Sequence, residues 1–199
     1  MPPSRIASNP PASESSSASL VKRLKAGDAG AWQRLAQIYT PLVYRWSQQA
    51  GLRDSDAVDV VQEVFQAVAG GIDGFRRERA GDSLRGWLRG IARHKLQDHF
   101  RRLASSPEVT GGSENLARLQ QLESLPEERD TVDRELCDLV QRAAALIQTD
   151  FQEKTWRAFW RTSIDRQPAA DVAQELGLTV GAVHAARFRV LKRLREELV

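Results

Sequence analysis

Apolar residues in this chain recur at spacings of three and four, and almost never at two. Trp32, Leu35, Tyr39, Leu42 and Trp46 follow that rule, as do Val61, Val64, Phe65 and Val68, and then Leu84, Trp87, Leu88, Ile91 and Leu96. An α-helix places positions three and four apart on one face, whereas a half-buried strand needs strict alternation. The chain is therefore predicted to be all-α, without a sheet. Asp28 is placed to cap the first long helix, and Pro41 inside it predicts a bend or a local break. The stretches LRDSD and GGIDG predict the next two helix ends.

The organisation follows from where that periodicity lapses. Residues 1–19 hold four Pro and seven Ser with no apolar run, which predicts a disordered tail rather than a signal peptide. Residues 20–103 form one helical block. LASSPEVTGGSENL and the acidic run to 132 read as a flexible linker over 104–132, and a second helical block covers 133–199. In that block Phe151, Trp156, Phe159 and Trp160 are expected to be core. The fold predicted is thus two small helical domains joined by a flexible acidic linker.

Charge is segregated behind a net value of only +3. Residues 84–103 carry six Lys/Arg against one Asp, and residues 105–135 carry eight acids against three Arg. A basic segment of that kind fits a polyanion partner. Cys137 is the one cysteine, which leaves no internal disulfide and suits a reducing, cytoplasmic setting. No stretch approaches the ~20 apolar residues of a membrane span.

The segment from Pro168 to Leu194 has a definite local reading. Pro168 suits a first helical turn, and Val172, Ala173 and Leu176 give a short helix an inner face. Gly177 can take the positive φ that ends it, Leu178 plugs the gap, and Thr179 is a natural N-cap for the next helix. On that longer helix Val183, Ala186, Val190 and Leu194 face inward, while His184, Ala185, Phe188, Arg189 and Lys192 face outward. Helix, short turn and second helix match a DNA-binding helix-turn-helix, with the outward face meant for a major groove. Arg193 is expected to reach phosphates beside Arg189 and Lys192. Arg187 lies close to the inner stripe; it either snorkels outward or pairs with a carboxylate such as Glu175.

The first block changes what the helix-turn-helix means. DVVQEVFQAV, then Phe75, then GDSLRGWLRGIARHKLQDHFRR resembles region two of bacterial sigma factors, and the second block resembles region four. The two in this order, with only a short acidic linker between them, resemble the extracytoplasmic-function group of the sigma-70 superfamily. The resemblance implies a subunit that binds core RNA polymerase and promoter DNA and opens the promoter for transcription, without catalysis or a cofactor. It implies an anti-sigma protein as a further class of partner. By it, Asp59, Gln62 and Glu63 match polymerase-contacting positions. Phe75, Arg76, Arg77 and Arg79 match the loop that captures an unstacked base of the minus-ten element, and Arg89, Arg93, Lys95 and Arg101 are phosphate candidates. The outward face with Thr179, His184, Ala185, Phe188, Arg189 and Lys192 would read the minus-thirty-five element. The chain departs from the family at His184 and Ala185, where relatives often place a long cation and a small hydroxyl, and at Arg187, which replaces a usual aliphatic.

Two rivals remain. An enzyme would need a metal held by Asp54, Asp56, Asp59 and Glu63, but the last three form a helical surface strip. His94 and His99, five apart, point about 140° away from each other. No metal site is expected. A stand-alone helix-turn-helix regulator explains residues 168–198 and leaves the first block without a task.

Overall fold

The computed structural model describes residues 19–78, 82–105 and 129–198. The Ser/Pro-rich tail short of Ser19, Arg79, and the linker between 105 and 129 lie outside the described residues. Among those described there are eight α-helices and no strand.

Helix α1 (Leu20–Lys25) starts at Ser19, whose hydroxyl accepts from the Lys22 N–H. Gly27, at φ +73°, turns the chain into α2 (Ala29–Gln49). The Asp28 carboxylate accepts from the N–H groups of Gly30 and Ala31 at 2.8 and 3.2 Å, satisfying two of the donors that a helix start leaves open. Arg23 donates to the same carboxylate at 2.8 Å, and that bond holds the Asp28 carboxyl below its ordinary pKa. Of the bend or break expected at Pro41, the break does not occur: α2 runs through it. Pro41 is exposed, so the carbonyl deprived of its intrahelical donor lies on the solvent side.

Helix α3 (Asp54–Gly71) ends in a single 3₁₀ turn at Ile72–Gly74, and α4 (Leu84–Ser105) begins where Ser83 accepts from the Gly86 N–H at 3.1 Å. Leu35, Ile38, Tyr39, Leu42 and Val43 of α2 meet Ala57, Val60, Val64 and Val68 of α3 and Leu84, Leu88, Leu96 and Phe100 of α4. The buried stripe of α3 is one step off the expected one: Val61 and Phe65 are only half-buried, while Ala57 and Val60 are enclosed. Burial raises the Tyr39 hydroxyl's pKa above its ordinary value and keeps it a donor.

The second block comprises α5 (Arg129–Ile147), α6 (Glu153–Ser163), α7 (Ala169–Leu176) and α8 (Val180–Leu198). Trp156 stacks between Phe151 and Trp160, with centroids 6.4 and 6.1 Å away. Trp160, expected in the core, is 40 % exposed. A small cluster of Ala158, Val172, Ala173, Leu176, Val183 and Ala186 ties α7 to α8.

The blocks do not stand apart. Helix α2 packs on α5, and α1 touches α8. Leu139, Ala143, Ile147, Trp156, Phe159 and Val190 join the same apolar cluster as the first block's residues. The amphipathic pattern of each block promised a buried face but not which block would cover it.

Candidate nucleic-acid interface

The helix-turn-helix is built as its sequence requires. The chain leaves α7 through Gly177 at φ +63°, a left-handed conformation that a Cβ would disfavour. The Gly177 and Leu178 N–H groups close back on the carbonyls of Gln174 and Ala173. Leu178 is half-buried against the small cluster, and the Thr179 hydroxyl accepts from the Ala182 N–H at 3.1 Å. Pro168 sits one residue earlier than expected, as the N-cap of α7 rather than its first helical residue.

On α8, Val183, Ala186, Val190 and Leu194 are buried, and His184, Ala185, Phe188, Arg189 and Lys192 are all exposed. Phe188, at 65 % exposure, is an apolar ring standing in water on a cationic face. Arg193 corrects the sequence reading. It is buried, donates to Asp150 at 3.1 Å and pairs with Glu197, so it braces the block from inside and does not reach a groove wall. Arg187 is exposed, and Glu175 bonds Arg161 instead of Arg187. The choice left open for Arg187 falls to the outward course.

In the first block the structure separates residues that the resemblance grouped. Asp59 and Gln62 are exposed on α3 beside Val58, whereas Glu63 is half-buried against α4, 2.8 Å from Arg102 and 3.9 Å from Lys95. Asp54 accepts from the Tyr44 hydroxyl at 2.9 Å, which raises that hydroxyl's pKa. The acids of α3 thus point different ways, and among the described residues no group of three or more His, Cys, Asp or Glu could hold a metal.

Beside the start of α4 lies an open recess of about 430 Å³ lined by Gly74, Phe75, Arg76, Glu78, Ser83 and Trp87, among others. Its size falls within the range of small-ligand sites, about 300–1,000 Å³. Phe75 is its floor and not a free aromatic platform: it is 6 % exposed and packs on Trp87 at 5.1 Å. The walls are fixed by backbone carbonyls. Lys25 donates to the Phe75 carbonyl at 2.7 Å, Arg76 to the same oxygen at 3.1 Å, and Arg77 to the Asp82 carbonyl at 2.9 Å. The Glu78 N–H donates to the Asp82 carboxylate at 2.9 Å. Along α4, Arg93 and Arg101 are exposed, the latter 3.1 Å from Asp98. Lys95 is half-buried toward Glu63, and Arg89 lies over the Trp46 ring.

Sequence reasoning missed a cluster between the blocks. Glu135 of α5 is 1 % exposed and accepts from the Trp46 indole N–H at 2.7 Å and from Arg85 Nε at 3.0 Å, with Arg89 at 3.8 Å. Its partners are 46 or more positions away along the chain, and Glu135 stands at the end of an acidic run, so no local pattern marked it.

A basic helix beside a recess, and a helix-turn-helix with an exposed cationic face, are the features with which a nucleic-acid-binding class of protein meets its partner. Residues 35–106, from within α2 through α4, match the family described as Sigma-70 region 2. Over 190 residues the chain is 28 % identical to the ECF RNA polymerase sigma factor BldN of Streptomyces coelicolor, covering 92 % of this chain and 67 % of that one. It is 27 % identical over 187 residues to the ECF RNA polymerase sigma factor SigD of Mycobacterium tuberculosis, covering 90 % and 82 % respectively. Over about nine-tenths of its length the chain is thus similar to sigma factors of the extracytoplasmic-function group, and its first block to region 2 of the sigma-70 family.

Proposed function

We infer that this protein is an RNA polymerase sigma factor that binds core polymerase and directs promoter recognition and opening in the cytoplasm. The observation that carries this is the union, in one chain, of the region-two match over 35–106 with a helix-turn-helix presenting His184, Phe188, Arg189 and Lys192. Division of labour follows the two blocks. Residues 20–103 serve polymerase docking and the minus-ten element, and residues 133–199 the minus-thirty-five element, with 104–132 as connector.

Docking falls to the exposed pair Asp59 and Gln62, with Glu63 orienting α3 against α4 through Arg102 and Lys95. The recess over Phe75 and Trp87, lined also by Arg76, receives an unstacked base, with Arg77 and Arg79 as further cations for the captured strand, while Arg89, Arg93, Lys95 and Arg101 hold its phosphates. In the upstream duplex, the outward face of α8 lies in the major groove. Thr179 starts the helix whose free N–H groups can meet a phosphate. Binding and strand capture, not covalent chemistry, make up the protein's part in initiation.

The test is capture of core polymerase by the tagged full chain, followed by transcription from a promoter selected with the resulting holoenzyme. Reversing charge at Asp59 with Gln62→Lys should abolish capture and leave helical content intact. Tight duplex binding without polymerase, and no capture, would instead mark a stand-alone regulator.

A further inference from the structure

Arg85, Arg89 and Arg93 stand one turn apart on α4, a row of cations with a repeat of about 6 Å. Only Arg93 is fully exposed. The first two converge on Glu135, and both guanidinium groups lie over the Trp46 ring, 6.0 and 5.6 Å from its centroid. A second ionic contact ties α2 to the end of α8: Arg34 pairs with the fully buried Glu197 at 2.9 Å and lies 3.7 Å from Asp150. The Tyr39 hydroxyl donates to the Leu198 carbonyl at 3.3 Å, and Arg142 to the Ile38 carbonyl at 3.2 Å.

Buried ion pairs are poor devices for stability, because desolvation offsets much of their attraction. They suit a contact that must part, since the freed charges are stabilised again by water or by a phosphate. On the promoter-binding reading, parting is required. The minus-ten and minus-thirty-five elements lie some 25 base pairs apart, about 85 Å along the duplex at ~3.4 Å per pair. A closed chain of this length measures roughly 40 Å across.

We propose that Glu135 is an internal substitute for a nucleic-acid phosphate: in the closed chain it occupies Arg85 and Arg89, and separation of the blocks hands both cations to a DNA strand. The proposal rests on the reading above for its biological setting, and the experiment separates the two. Full-length wild type and Glu135→Gln, which keeps an acceptor for Trp46 but removes the charge, are titrated against a labelled single-stranded DNA oligonucleotide at several salt concentrations. Glu135→Gln should bind about tenfold or more tightly, with a salt slope steeper by about 1.4, two phosphates at ~0.7 each. A folded variant without that gain overturns the proposal. In case the variant does not fold, a second measurement decides. Arg45→Cys and Asp138→Cys replace an ion pair across the same interface, in a Cys137→Ser background, and are joined by a short bis-maleimide with a reducible spacer. The bridged chain should bind the oligonucleotide weakly and fail in promoter-directed transcription with core polymerase, and reduction should restore both. Equal binding and activity before and after reduction overturns the latch and leaves the sigma-factor reading standing. If unbridged wild type does not transcribe with core polymerase, the sigma-factor reading falls, and the oligonucleotide titration alone decides the latch.

Discussion

Lys192 and Arg193 are adjacent cations with opposite employment. Lys192 is exposed on the outward face of α8, and Arg193 is buried between Asp150 and Glu197. Lys192→Ala should weaken binding on every promoter sequence, lower the salt slope by about one and leave the fold intact. Arg193→Ala should instead cost roughly 3–5 kcal/mol of stability, because it strips a partner from a carboxylate with no solvent access. Parallel salt titrations and denaturant curves separate the two, and a Lys192→Ala variant that unfolds while Arg193→Ala binds poorly but stays folded would reverse the assignment. His184 and Phe188 lie one turn apart near the centre of the exposed face. Replacing either by Ala should cost on the order of 1–3 kcal/mol and relax preference at particular base pairs, Phe188 at a thymine methyl above all. Selection of upstream elements from a promoter library with each holoenzyme checks this, and an unchanged preference in both would leave α8 as a phosphate clamp only.

At the scale of helices, the start of α2 carries a pH signature. Asp28 has an unperturbed pKa of 3.8, and the bond from Arg23 lowers it in the folded chain. Its capping contribution is therefore present above the unfolded value and disappears as pH falls through the lower folded one. Asp28→Ala should cost about 0.5–2 kcal/mol near neutrality. The gap between variant and wild type should close as the pH drops below 4, and a gap constant down to pH 2 would mean that the charge is not what caps the helix. Such helix ends were legible in the sequence, because caps, Gly turns and three-four spacing act through neighbours in the chain. The outward set on α8 was legible for the same reason. Arg193 was not: a cation on a helix reads as solvated unless its acids are known, and Asp150 is 43 positions away. The setting of Phe75 was hidden for the same reason, since only its packing on Trp87 makes it the floor of a recess. Glu63 looked like a member of the Asp59 and Gln62 strip until α4 supplied Arg102 and Lys95.

For the molecule as a whole, one continuous apolar cluster reaches from Leu35 and Leu88 to Ile147 and Val190. Two domains on a flexible linker would unfold independently, and a substitution in one would leave the other's midpoint unchanged. A shared cluster couples them, so the free chain should lose both blocks in a single cooperative transition. Ile147 is fully enclosed at the end of α5, and Ile147→Ala should remove about 2–5 kcal/mol. The reporter is hydrogen exchange followed through a denaturant series, because it registers each helix by itself. Exchange in α2 should advance to lower denaturant together with exchange in α5 and α8, although Ile147 belongs to the other half of the sequence. The bridge through Arg45 and Asp138 supplies the control, since holding the blocks together restores the coupling that an opened chain would lose. Retained protection in α2 alongside loss in α5 and α8 would mean that the blocks meet without sharing stability. The closed arrangement would then be a loose encounter, and its opening on polymerase would cost little.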